Sequence, residues 1–161
     1  MRKRVLIIGG AVLLALAAFV LVWFEPQKLF IDDTVDEAAT SSASTVAAGR
    51  FTSQEHTTTG AASVLQAADG SRVLRLDDLD TSNGPDLRVY LSAADADADW
   101  KAFDDDFVEL GRLKGNKGDQ NYAIPSGVDV AKYARAVIWC KRFSVPFGVA
   151  ALQPGGADAD A

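Results

Sequence analysis

The sequence predicts an all-β domain, an antiparallel β-sandwich or barrel of about eight short strands, preceded by one N-terminal transmembrane helix. Three observations predict it. Val5 to Phe24 is an uncharged apolar run of 20 residues. Beyond Gly49 the chain is broken at short intervals by turn signals, among them Asp69-Gly70 and Ser82-Asn83-Gly84-Pro85-Asp86. Between those signals apolar residues alternate, as on a half-buried strand.

The chain opens on a basic cap, residues 1–4, Met1-Arg2-Lys3-Arg4. The apolar run, residues 5–24, follows. At 1.5 Å per residue it spans roughly 30 Å, the thickness of a bilayer's hydrocarbon core. Trp23 and Phe24 stand at its far end, where aromatic rings favour the membrane interface. Cations precede the run, and Glu25, Asp32, Asp33, Asp36 and Glu37 follow it. The positive-inside rule then puts the N-terminus in the cytoplasm and the rest outside, at the cell surface or in the periplasm. A cleaved signal peptide is the rival reading. Its apolar core is usually about 7–15 residues and ends on small residues, whereas bulky Trp23-Phe24-Glu25-Pro26 close this one. An uncleaved anchor is the expectation.

Pro26 ends the helix. Residues 25–48, with the low-complexity stretch Thr40-Ser41-Ser42-Ala43-Ser44-Thr45, read as a flexible extracytoplasmic tether. Residues 49–154 form the folded unit, and residues 155–161 a disordered tail. Within the unit, strands are expected at Ala61–Ala67, Val73–Leu76, Leu87–Leu91, Phe107–Leu113, Gln120–Ile124, Ala134–Cys140 and Val145–Leu152. Leu87, Val89 and Leu91 share one face, and Arg88 and Tyr90 the other. Ala93 to Asp106 is acidic and irregular, with a short helix near Trp100. Asp129 to Tyr133 suits one helical turn capped by Asp129.

Among 161 residues the net charge is −6, and the sequence pI is near 4.7. An acidic chain is a poor fit to nucleic acid, whose phosphates require Lys and Arg. The membrane is the one partner the sequence marks; it identifies no protein or redox partner. A single cysteine, Cys140, allows no internal disulfide and no four-cysteine zinc site.

Cys140 is the first candidate for chemistry. Its thiolate would be favoured by nearby cations, and Arg142 shares its face if the strand continues, while Lys141 does not. The alternative is a small buried core residue. His56, the only histidine, could be an axial haem ligand, a copper ligand or a base for Cys140, or simply a hydrogen-bonded loop residue. His56 and Cys140 make two ligands, short of a metal site, and a third such as Asp86 would be needed. Haem and copper are therefore both conceivable cofactors, with neither favoured. The loop Lys114-Gly115-Asn116-Lys117-Gly118 could surround an anion with backbone N–H groups, or be a turn whose glycines take positive φ. Gln120, Asn121 and Tyr122 could line a cleft beside it. Asp95, Asp97 and Asp99 alternate like the start of a calcium loop. Trp100 stands where glycine is required and Asp106 where glutamate is, so the run reads as a solvated acidic loop. No nucleophile elbow is present.

Four blocks, in order, resemble a known family. They are Gly49-Arg50-Phe51 with His56 and Gly60; Asn83 to Leu91; Leu110 to Tyr122; and Val137 to Gly148. Together they resemble the DM-thirteen, or electron-transfer DM, domain over essentially the whole folded unit. The resemblance implies an extracellular or periplasmic β module, found elsewhere beside DOMON and cytochrome-b type domains. It implies a redox role resting on one cysteine, which maps to Cys140. The apolar segment carries no histidine and so offers no bis-histidine haem ligation. The expected function is a membrane-anchored, extracytoplasmic redox or cofactor-associated module. The alternative is a recognition domain in which Cys140 is structural.

Overall fold

The computed structural model describes residues 2–26, 31–39, 43–95 and 98–155. Helix α1 runs from Arg2 to Phe24. Its segment Leu6–Phe24 is long and apolar enough to cross a membrane, and none of that segment is buried against the β domain.

Ten strands follow: β1 (Thr34–Asp36), β2 (Ser44–Ser53), β3 (Thr58–Gln66), β4 (Arg72–Thr81), β5 (Leu87–Ser92), β6 (Phe107–Arg112), β7 (Lys117–Ile124), β8 (Arg135–Cys140), β9 (Val145–Ala151) and β10 (Gln153–Pro154). They form one curled sheet in the order β1-β7-β4-β3-β2-β9-β8-β5-β6, with β10 also on β2. The curl brings β6 back towards β7, giving a half-barrel. All pairings are antiparallel except β1 with β7. The strand count exceeds the expected eight chiefly by the two short strands β1 and β10.

β2 holds the curl together. Its first part pairs with β3, and Phe51–Ser53 cross to β9. The enclosed core takes alternate residues of each half, including Val64, Leu74, Leu76, Leu87, Val89, Leu91, Ile138 and Cys140. The opposite face of β5, β8 and β9 is covered too. Tyr90, Val137, Trp139 and Val149 pack beneath Phe103, which lies in a short 3-10 helix, Trp100–Asp104. The acidic 93–106 segment is thus pinned by one aromatic ring. Asp99 caps the 3-10 helix through the Lys101 N–H, and Asp106 pairs with Lys132 at 2.8 Å. Asp97 lies outside the described residues. Asp129 caps one helical turn as expected, its carboxylate accepting from the Ala131 N–H at 3.0 Å.

The folded unit begins earlier than residue 49. Strand β2 starts at Ser44, and β1 lies on the edge of the sheet, so much of the expected tether belongs to the fold. Small side chains make this possible: Ala47 and Ala48 are buried, and a Cβ on Gly49 would collide with the backbone of Ala151. Thr40, Ser41 and Ser42, and the tail from Gly156 on, lie outside the described residues.

Side chains from distant strands hold β1. The guanidinium of Arg75, on β4, has a side chain only 8% exposed. It donates to Asp77 (2.5 Å), Asp119 (2.6 Å), the Asn121 side-chain oxygen (3.3 Å) and the Glu37 carbonyl (2.9 Å). Charge-assisted bonds of this kind are the strong ones, and an abandoned partner is costly. Arg75→Ala is expected to lower stability by about 2–4 kcal/mol, discounted for the partial exposure of both carboxylates. Urea unfolding would show a lower midpoint with an unchanged slope. Limited proteolysis would cut first between residues 31 and 43.

Candidate functional site

β8 is apolar on both sides because both of its faces are covered. Ala136, Ile138 and Cys140 face the main core, and Val137 and Trp139 the second cluster. Cys140 is the last residue of the strand, opposite Leu87 and Val145, and is fully buried. Residues 141–144 then turn, with Ser144 at φ 52°. Arg142 therefore does not continue the strand face of Cys140. The pairing of Cys140 with Val145 ends the strand, and the turn sends the guanidinium to the end of α1, where it lies over the Trp23 ring. Burial pushes the Cys140 thiol above its ordinary value. The backbone N–H groups of Phe143, Arg142 and Asp86 oppose this, and burial wins.

A cavity of about 70 Å³ lies where two loops meet. Asn83 to Leu87 form one wall, Arg112 to Asn116 the other, and Asp33 reaches in from before β1. Asp86, Lys114 and Asn116, named from separate loops, all line this cavity. Leu87, the register partner of Cys140, lines the same cavity. Asp86 accepts from Arg88 Nε at 2.7 Å and lies 3.5 Å from Arg112. Arg88 in turn donates to Glu109 at 2.5 Å. Burial pushes the Asp86 carboxyl up, but the bond from Arg88 and the charges of Arg88, Arg112 and Lys141 together hold it below the usual carboxylate range. Sequence reasoning passed over Arg88, Glu109 and Arg112. The signal was the Asp86-x-Arg88 spacing, which puts opposite charges on one strand face.

The remaining loop candidates surround β1. Gln120 is fully buried and satisfies the loop it faces. Its amide donates to the Gly115 carbonyl at 2.7 Å, and its oxygen accepts from the Lys114 N–H, the Gly115 N–H and the Tyr122 hydroxyl. Asn116, also buried, donates to Asp32 and to the Thr81 carbonyl and accepts from the Asp33 N–H at 2.7 Å. Lys114 pairs with Glu37 at 2.7 Å, and the Asn121 amide donates to the Ala38 carbonyl. Burial raises the Tyr122 hydroxyl far above its ordinary value. Both glycines are needed because a Cβ would strike a backbone carbonyl, that of Asp33 at Gly115 and that of Val35 at Gly118, and Gly118 also takes φ 88°. Their backbone faces this chain's own first strand.

His56 packs on the ring of Phe147, with centroids 3.9 Å apart. Phe147 belongs to the core cluster that holds Cys140. Among the described residues no hydrogen bond joins His56 to Cys140, and no three His, Cys, Asp or Glu side chains group as a metal site would require. Copper needs such a group. The one histidine is stacked on a core ring, apart from Cys140. Among the described residues no side chains group as a copper site would require.

A sequence model of the family described as Electron transfer DM13 matches residues 50–152. No curated protein and no solved structure matches the chain.

With its thiol sealed and held protonated, Cys140 should react with maleimide at neutral pH far more slowly than an exposed cysteine, by about a hundredfold or more. Denaturant should restore the rate. The pH effect has a definite sign. A thiol raised on folding adds stability below its ordinary value of 9.0, and loses it as pH rises through the folded value. Thermal unfolding of Cys140→Ala should therefore show less alkaline loss above pH 9 than the parent.

Proposed function

The chain belongs to the electron-transfer DM13 family, and on that premise we propose that it is a redox module held at the membrane by α1. The β domain stands on the extracytoplasmic side, and the sulfur of Cys140 is its electron-exchanging group. The match over residues 50–152, which takes in Cys140, is the observation that carries this reading.

The chemistry of this reading is that of a thiol, carried by Cys140. The co-reactant is a partner disulfide. The Cys140 thiolate attacks one of its sulfurs, a bond forms between them, and the other sulfur leaves as thiolate; the Cys140 proton passes to solvent. One cysteine cannot resolve this mixed disulfide within the chain. A second thiol, supplied by a partner, attacks the sulfur that the first partner contributed, and Cys140 leaves with both electrons of the broken bond. The net change is an exchange: one sulfur of the first disulfide is released as a thiol, the second thiol takes its place in a new disulfide, and Cys140 returns to its starting state. Access requires residues 141–144 to open, a local event of the kind short turns undergo.

The full burial of Cys140 favours a second reading. In it the thiol is a core residue, and the loops around the 83–87 and 112–116 cavity recognise a partner without electron exchange.

One experiment separates the two. The membrane-embedded full chain is incubated with a small disulfide under native conditions, and Cys140 is read by mass. The redox reading expects a mixed disulfide at Cys140, and loss of function in Cys140→Ala at a stability cost of about 1 kcal/mol. No adduct, with function kept in Cys140→Ala, leaves the recognition reading. The anchor has its own measurement: the mature chain should begin at or near Met1 and resist carbonate extraction. A mature chain starting beyond Pro26 overturns it.

A further inference from the structure

Outside α1, the large apolar side chains left exposed among the described residues are Ile31, Trp100 and Phe143. Phe143 sits in the β8–β9 turn, between Arg142 and Ser144 and two positions after exposed Lys141. That turn meets the end of α1. The Arg142 guanidinium lies 5.2 Å from the Trp23 ring centre, and Arg142 donates to the Trp23 carbonyl. The Phe143 and Phe24 rings stack at 6.2 Å. The last carbonyls of a helix lack intrahelical partners, and a cation there is favourable on both hydrogen-bonding and dipole grounds.

The placement fixes depth. Trp23 and Phe24 close the apolar run, where aromatic rings settle at the boundary between acyl chains and headgroups. Arg142 and Phe143 touch those two residues, so they share that boundary. Their chemistry suits it. A phenyl ring enters the boundary, and Lys141 and Arg142 can reach lipid phosphates.

Resting on the anchor reading above, we propose that the β8–β9 turn, Lys141-Arg142-Phe143, is a membrane-docking surface whose occupant is the phospholipid headgroup layer that α1 crosses. The domain sits against the bilayer on this turn, and the opposite end of the sheet points away. The register defines that opposite end. β2 begins beside Gln66, near the β3–β4 hairpin, and ends beside Gly148, near the β8–β9 turn. Ten strand residues separate the two by about 30 Å.

The test uses the full chain in nanodiscs of phosphatidylcholine with phosphatidylglycerol, in a Cys140→Ala background. An environment-sensitive fluorophore is placed by Ser144→Cys, which keeps the three docking residues, or by Ala68→Cys in the far hairpin. Quenching by spin-labelled headgroups is compared with quenching by aqueous iodide. The expected result is headgroup quenching at 144 and iodide quenching at 68. Arg142→Glu should shift the label at 144 towards iodide by about fivefold or more, since each basic residue at an anionic surface is worth roughly fivefold in partition. Equal iodide access at 144 and 68, in a chain that stays with the disc, overturns the docking. A chain that leaves the disc overturns the anchor reading, and the docking with it.

Discussion

The placement of β1 rests on side chains reaching it from β4 and β7, with one guanidinium at their centre. Arg75 lies on β4, in the middle of one half of the sheet, and its donors reach β4 itself, β7 and the chain just past β1. β1 is three residues long, too short to hold an edge by backbone pairing alone. Arg75, Asn116 and the Lys114–Glu37 pair supply what the ladder does not. With β1 in place, Asp33 can complete the wall of the cavity between the 83–87 and 112–116 loops. Remove the guanidinium and Asp119 loses its counter-charge and the Glu37 carbonyl its donor.

Cys140 shows two physical demands in opposition. Thiol exchange needs a thiolate that a partner sulfur can reach in line. Close packing needs a small apolar group at the end of β8. The resting fold meets the second demand and leaves three backbone N–H groups near the sulfur that favour the charged form. Water admitted by opening the turn would remove the desolvation penalty while leaving the amide of Asp86, just before the neighbouring strand β5, in place. A redox role for this residue is accordingly a role for an opened state.

The fold class was legible because its signals are local. Asp69-Gly70 does turn β3 into β4, and Leu87, Val89 and Leu91 do share the core face. β1 was illegible because its partners lie about forty to eighty residues away and no alternation fits in three positions. The start of β2 was hidden by composition. Serine, threonine and alanine read as a loose linker, yet small residues are what a crowded strand beside Ala151 requires. Gly115 was visible as glycine but not for its reason, a neighbouring backbone that only the tertiary fold supplies. For Cys140, the apolar run through β8 looked the same whether one face was covered or both. Asp86, Lys114 and Asn116 were each named from turn-rich loops, but nothing local in the sequence said that those loops meet. His56 and Cys140 were paired by chemistry alone, and the Phe147 ring on which His56 stacks shows what chemistry alone omits.

The early start of the fold also sets a leash. Were residues 25–48 free, the domain could range far from the bilayer. Because β1 is locked at Thr34, only residues 25–33 join it to α1. Fully extended, nine residues reach about 30 Å. The domain's excursions are therefore no longer than the domain itself. With α1 as the anchor proposed above, such a module would search a thin layer in two dimensions, where partners held at the same membrane would be at a raised effective concentration.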